Sequence, residues 1–440
     1  MQEYFHGLAD HVTSLLQGDE VATMNFSGEA SDFVRFNHNA VRQAGVVQAQ
    51  DLSVDLIRGA RHAESTTVLC GIAEEDQGRL AAMIDELRAR LEHVPEDPYL
   101  LYATEVQSTE RMGENQLGPV EEALQAILEG GHGQDLVGIY AQGPIYRGFA
   151  NSLGQRNWFS THSFNLDWSL YLRDDKAVKS LFAGFAWEPQ RLREKMESAV
   201  QQLDLLAQPA KTIEPGKYRV YLSPTALGDV AGTVGWGGFG LKSHRSKISS
   251  LLRMIEGDAR FDEAVTLREN TAEGIAPNFD GKGFLKPDEV VLVEKGEFRE
   301  HLVSARSAKE YGVASNGADA YEMPNSLDMS AGDVPSAEIL ERLGTGAYVN
   351  NLHYLNYSDR PACRITGMTR FATFWVEDGK VVAPLNVMRF DESVYRMLGE
   401  NLIGLTQERE MLISSETYMG RSCESMRLPG ALIDNFSFTL

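Results

Sequence analysis

Histidines and cysteines are the residues of this chain best suited to metal or nucleophilic chemistry, so their spacing comes first. Ten histidines are present, but no His-Glu-x-x-His run occurs and no pair shares the i, i+4 spacing that sets two imidazoles on one helix face. The spacing leaves open only a metal site gathered from distant histidines. Cys70, Cys363 and Cys423 are odd in number and far apart, which gives no disulfide framework and fits a reducing compartment. No Gly-x-Ser-x-Gly elbow is found. Gly235, Gly237 and Gly240 match G-x-G-x-x-G, and Glu256 stands where a ribose-binding acid could lie. A dinucleotide site needs that motif after a strand and opening a helix. Here a helix-like apolar segment precedes it, so the glycines read as a flexible or closely packed connection.

The composition bounds the partners. The chain has 440 residues and a formal charge of −22, with 43% apolar and 24% charged residues. A globular protein of two or three domains is expected. A field of that sign repels phosphate, so neither a nucleic acid nor an anionic membrane surface is an expected partner. The opening MQEYFHGLADHVTSLL lacks the basic and apolar regions of a secretion signal, and no apolar run reaches the ~20 residues that span a bilayer. The expected location is the cytoplasm.

The elements that must position any site follow from periodicity. Leu8, Val12, Leu15 and Leu16 predict a first helix, and Val21–Phe26 and Phe33–Val47 predict strands. Leu52, Val54 and Leu56 alternate with polar residues, as on a half-buried strand. Amphipathic helices are predicted at Leu80–Leu91, from Pro119 to Gly130, and from Pro189 through Leu206, with strands from Asp135 to Leu172. QPAKTIEPG, at 208–216, is the linker candidate. The predicted organisation is an N-terminal α/β domain over 1–208, a linker at 209–216 and a β-rich domain over 217–440. In the second part, helices are predicted near Thr225–Val234 and over Ile248–Ile255. Hairpins are predicted at Lys295-Gly296, between VVLV and FREHLV, and at Asp378-Gly379. In RFATFWVE, Phe371, Thr373 and Trp375 face one way and Ala372, Phe374 and Val376 the other. Apolar residues on both faces imply a strand covered on two sides, as in a barrel or sandwich. Such a sheet can also offer a groove to an extended peptide.

Several segments, taken in order, resemble the TldD/PmbA family of metallopeptidases. They are SDFVRFNHNAVRQAG at 31–45, Asn278-Phe279-Asp280-Gly281-Lys282-Gly283 followed by VVLVEKGEF, SARSAKEYG from Ser304, LGTGAYV at 343–349, and ITG at 365–367 followed by FWVEDGKVVAPL. The resemblance implies an α+β fold of two domains, an N-terminal α/β domain with a mixed sheet and amphipathic helices and a C-terminal barrel-like β-rich domain. It also implies cytoplasmic dimers and a peptide groove near Gly344, Thr345, Gly346, Thr366, Gly367 and Trp375.

The family has two branches. TldD-like members carry His-Glu-x-x-x-His on a helix and a distant cysteine, which bind zinc; PmbA-like (TldE-like) members lack the histidines and pair with a TldD-like subunit. Here Gly228 and Asp229 stand in the His-Glu positions, Thr233 at the second histidine and Cys423 at the cysteine. Glycine offers no ligand, threonine is a poor one, and a single thiolate does not hold zinc against water. The resemblance therefore implies no catalytic or metal-binding residue and no cofactor in this chain, zinc belonging to a TldD-like partner. The expected function is that of a non-zinc subunit helping to degrade or mature unfolded peptides. Two alternatives are a self-sufficient peptidase working through Asp229 and Cys423 or an atypical metal, and a non-enzymatic homodimeric modulator, as of DNA gyrase.

Overall fold

The alternation at Leu52, Val54 and Leu56 marks the buried stretch of a long strand in the first of two sheets. In the computed structural model, which describes residues 1–174, 176–415, 417 and 420–439, the first sheet is flanked by helices. Its elements are α1 (Gln2–Ser14), β1 (Val21–Asn37), β2 (Ala40–Arg58), β3 (Arg61–Val68), α2 (Ala73–Leu91), β4 (Thr109–Met112), α3 (Val120–Gly130), β5 (Asp135–Asn151), β6 (Arg156–Arg173), β7 (Lys176–Gly184) and α4 (Pro189–Leu206). The strand order is β3-β2-β1-β5-β6-β4, with β7 also on β6. Every pairing is antiparallel except β4–β6, so the sheet is mixed. The single strand expected across Phe33–Val47 is instead the end of β1, a turn, and the start of β2. His38 and Asn39 both take positive φ there, 52° and 51°, the geometry of a tight hairpin turn.

The second half contains β8 (Gly216–Leu222), α5 (Pro224–Gly235), α6 (Leu241–Arg245), α7 (Leu252–Ile255), β9 (Leu267–Asn270), β10 (Glu289–Glu294), β11 (Glu297–Phe298), α8 (Ala305–Tyr311), β12 (Ser326–Met329), α9 (Ile339–Leu343), β13 (Gly346–Asp359), β14 (Arg364–Glu377), β15 (Lys380–Pro384), β16 (Arg389–Ser393), β17 (Leu402–Ile413) and β18 (Ser425–Phe438). β8 pairs with β13, β13 with β14, β14 with β16, β16 with β18, and β18 with β8 again. That closed ring is the expected barrel-like sheet; β12, β9, β10 and β11 extend it from β18. The architecture is α+β. Both predicted hairpins form, with Glu294 opposite Glu297 and Glu377 opposite Lys380. FREHLV supplies only the two residues of β11. The helix expected over Ile248–Ile255 shrinks to α7, and Ile248 is exposed. Its backbone is taken into turns instead, with the Ile248 and Ser249 amides both donating to the Ser243 carbonyl. Among the described residues, no helix is long and apolar enough to cross a membrane.

β14 is covered on both faces because it faces two cores. Trp375 and Ile365 join the core inside the ring with Val220, Phe390 and Phe436. Ala372 and Phe374 instead join a core shared with Phe164, Trp168, Leu192 and Met196 of the first half. A second seam is made by residues 278–284. Phe279 packs on Phe149 and Phe159, and the Asp280 carboxylate accepts from the amides of Lys282 and Phe284, each at 2.9 Å. Gly283 has φ 88°, and a Cβ there would lie 2.5 Å from the Phe149 ring, so no other residue fits without movement.

Candidate functional site

Helix α5 carries the residues singled out by the zinc pattern, and its start is fixed by the sequence Ser-Pro. The Ser223 hydroxyl accepts from the Ala226 amide at 3.2 Å and donates to the Asn350 carbonyl at 2.6 Å, while Pro224 occupies the first turn. One side chain thus caps the helix and ties it to β13. The apolar face formed by Leu227, Val230, Ala231 and Val234 is buried, leaving Asp229 on the opposite, solvent-reached face.

Gly228 faces the second sheet. A Cβ at this position would lie 2.8 Å from Leu412 Cδ1, so a side chain here must displace Leu412. Thr233 turns its hydroxyl onto its own helix, donating to the Asp229 carbonyl at 2.8 Å. The Asp229 carboxylate accepts from the Leu352 amide. Cys423 is part-buried and does not line the cleft on which Asp229 opens, although Glu424, Ser425 and Met426 do. Burial pushes the Cys423 thiol up, against the pull of Arg147, Arg421 and Lys286. No group of three or more His, Cys, Asp or Glu side chains able to hold a metal ion occurs among the described residues. A residue without a side chain, a carboxylate and an occupied hydroxyl do not fit an imidazole–imidazole–thiolate zinc set.

What α5 does line is a trough. Its central cleft, about 440 Å³, is walled by Asp167, Lys179 and Leu181 from the first half and by Thr225, Asp229, Asn351, His353, Phe371, Leu412, Glu424 and Met426 from the second. A hollow of about 480 Å³ continues it along Gly232, Thr233 and Trp236 to Asn356. Another, of about 690 Å³, continues it past Arg191, Lys195, Tyr348 and Glu408, sharing Lys179, Ser180 and Thr225 with the centre. Two strand edges flank the centre. Among the described residues, β7 pairs only with β6, and β17 pairs with β18 apart from one bridge between Val334 and Thr406. Side chains of Leu181 and Ala183 meet Met411 and Ile413 across the gap. Backbone groups on an unpaired edge are the hydrogen-bonding partners an extended peptide requires.

The charges in the central cleft are unevenly matched. Asp167 is neutralised by Lys179 at 3.1 Å and accepts from the Ser415 hydroxyl at 3.0 Å. Asp229 and Glu424 have no cationic partner within ion-pair distance among the described residues. Solvent reaches Asp229 from the open side, yet the cleft walls enclose it elsewhere. That enclosure raises its pKa to about 6, opposed by the Leu352 amide and Lys179. Burial and the nearby Asp319 also push Glu424 up.

The other sequence-predicted groove residues lie elsewhere. Gly344, Thr345 and Gly346 form the turn from α9 into β13, where the Gly344 carbonyl accepts from the Gly379 amide at 2.8 Å. Gly346 is needed for close approach, since a Cβ would meet the Arg219 carbonyl oxygen at 2.1 Å. Thr366 donates to the Phe390 carbonyl at 2.9 Å, and Gly367 lies against the Phe390 ring. Trp375 is in the ring core, its indole N–H donating to Glu377 at 2.7 Å. None of these lines the trough. Sequence reasoning missed Lys179, Asn351 and Glu424. The one available signal was the polar run NNLHYLNY, which breaks the alternation of β13 where its register against β14 shifts.

Residues 215–440 match the model of the PmbA/TldA metallopeptidase C-terminal domain. No curated protein matches the sequence significantly. Among solved structures, the chain is similar to a proposed modulator of a DNA gyrase from Thermotoga maritima, at 15% identity and a TM-score of 0.77, over 99% of this chain and 100% of that one. It is similar at the same identity, score and coverage to TldE from Thermococcus kodakarensis. A proposed modulator of DNA gyrase from Bacteroides thetaiotaomicron matches at 15% identity and a TM-score of 0.75, over 99% and 98% of the two chains. At this identity the likeness establishes the fold.

Proposed function

Because this chain belongs to the PmbA/TldA metallopeptidase family, we propose that it acts in proteolysis as a subunit that binds no zinc of its own. In this reading it holds an unfolded peptide, extended in the trough beside α5, for a zinc-bearing TldD-like partner in the cytoplasm. One observation carries the reading: the trough runs along the edges of β7 and β17, the latter paired beyond β18 only near residues 405–407 among the described residues, while Leu412 Cδ1 lies 2.8 Å from where a Cβ at position 228 would stand. The likeness to a structure named TldE supports it as well. Backbone pairing would secure the peptide without demanding a sequence. Cleavage would require a metal-activated water, which the partner would supply. The Cys423 thiol, raised by burial and outside the cleft, does not supply a nucleophile beside Asp229.

The test is reconstitution. The purified chain is expected to hold less than ~0.1 zinc per chain and to leave unfolded casein intact, with cleavage appearing on mixing with a TldD-like protein. One zinc per chain in the isolated protein, or casein cleavage by it alone, overturns the proposal.

A further inference from the structure

Strand β2 is bare along half its length. Residues 51–58 pair with β3, and the Leu69 amide still donates to the Gln50 carbonyl at 2.9 Å. Over residues 40–49, β1 is the only strand beside it among the described residues, and all ten residues are exposed. Successive residues point to opposite faces, so the strand is open on both faces as well as along its edge. Val46 is 67% exposed, Val41 44% and Val47 39%. A β-bulge sets Arg42 out of register, since Arg35 of β1 faces Gln43 while Phe36 faces Val41. The straight free edge is therefore QAGVVQA at 43–49, which holds no charged residue and no proline. Exposed edges are ordinarily blunted by charge, by proline or by a cover. In a chain with 24% charged residues and a net charge of −22, this edge has neither charge nor proline, which leaves a cover.

We propose that the edge is a docking surface for a second copy of this chain, the two β2 strands pairing antiparallel about a two-fold axis at Val46. Charge selects that occupant. Arg42 precedes the uncharged stretch and Asp51 follows it, and neither side chain has an ion-pair or hydrogen-bond partner among the described residues. Antiparallel pairing lays the Arg42 end of each copy against the Asp51 end of the other, so opposite charges meet twice. Between those ends no charges oppose one another, although two chains of −22 repel elsewhere. The bulge fits the same register. The edge at Gln50 is already taken by Leu69, and Arg42 of the other copy, which would arrive there, is where the strand turns out of line. Val46 then meets its own counterpart, and Gly45 lies opposite Val47. Seven paired residues bury less than the roughly 1,200 Å² of a stable interface, so a micromolar dimer is expected. This surface is separate from the trough, because β1, β5 and β6 lie between β2 and β7. It does not rest on the peptide-groove reading.

Sedimentation equilibrium of the purified chain is expected to give twice 48.7 kDa at ~100 µM, with half-dissociation near ~10 µM. Val46→Glu and Val46→Lys each set like charges at the axis and should weaken association at least about tenfold. An equimolar mixture of the two variants sets acid against base and should restore it. Val46 is exposed, so both variants should keep the fold. A second measurement uses a Cys70→Ser background, which removes the exposed thiol. There Val46→Cys should form a disulfide-linked dimer with diamide, and Gly78→Cys, on the exposed face of α2, should not. A monomer at ~100 µM overturns the proposal. A dimer that both charged variants leave intact overturns the assigned surface. Weakening that the mixture does not reverse overturns the two-fold register.

Discussion

Two aspartates in this molecule meet opposite fates. Asp55, on β2 in the first half, is buried with both carboxylate oxygens 3.1 Å from His62 Nδ1 and with Lys282 Nζ, from the second half, at 2.8 Å. His62 reaches on toward Asp97 at 3.6 Å, and Asp97 in turn pairs with Arg306 of the second half at 2.6 Å. Burial alone would push Asp55 up, but His62 and Lys282 outweigh it and hold the carboxyl below its ordinary range. Asp229 has no such cation, and its pKa is raised to about 6. The first arrangement consumes its charges in joining the halves. The second leaves a carboxylate with no ion pair among the described residues, on the wall of the cleft. Whether a cation is paired with the carboxylate sets the direction of the shift in these two cases.

The sharpest way to break that contrast is to make Asp55 resemble Asp229. Lys282→Met keeps the aliphatic stem and removes the cation while His62 stays. We expect a loss of about 2 kcal/mol in denaturant unfolding, less than a fully buried pair because Lys282 is partly exposed. Indifference to this change would mean that the seam is held by Phe279 and its neighbours alone. The same network predicts a pH dependence. Asp55 has a depressed folded pKa, so its contribution is present above the ordinary carboxylate range and fades as pH falls through the lower folded value. His62 is raised, first by its bond to Asp55, so its contribution is full below its ordinary 6.5 and fades as pH rises through the folded value. The stabilising effect of His62 over His62→Gln should therefore be greatest in mildly acidic buffer and decline toward pH 8, by about 1 kcal/mol across the range.

The next test moves to the cleft side. Ser223 both caps α5 and ties it to the Asn350 carbonyl. Ser223→Ala should cost about 1.5 kcal/mol. Amide exchange should quicken first in α5, because the lost bonds are local. Equal quickening throughout the ring would show that α5 is not a separable element.

Much of this fold was legible because periodic burial dictates it. The stripe of Leu192, Met196, Leu203 and Leu206 gave α4, and Asp378-Gly379 gave the β14–β15 hairpin. The two-faced apolar pattern of β14 implied a doubly covered strand, and Phe374 and Trp375 do lie in different cores. The trough was not legible. Its walls come from β6, β7, α5, β13, β14, β17 and β18, many of them distant in sequence, and Lys179 or Glu424 carries no local pattern that marks it. The Gly-Thr-Gly turn at 344–346 drew attention by composition. Its glycines answer backbone requirements, a φ of 63° at Gly344 and the contact with Arg219 at Gly346. Position 228 could be read from the sequence only as a glycine where the family resemblance expects a histidine, and the Leu412 contact beside it required coordinates.

The smallest expected effect has the opposite sign and bears most directly on the contrast. Asp229→Asn keeps an oxygen able to accept from the Leu352 amide and removes the charge. An acid whose folded pKa lies above its unfolded value of about 3.8 favours folding when protonated, and that advantage is lost as pH rises from about 4 through 6. The variant should therefore match the parent near pH 4 and exceed it above pH 7. The shift taken at face value would give about 3 kcal/mol, but solvent reaches the side chain, so a gain of about 1 kcal/mol or less is expected. Unfolding curves at pH 4 and pH 7.5 decide it. A loss of stability at pH 7.5 would mean that Asp229 is matched by a cation within the chain after all, and the two aspartates would then be alike.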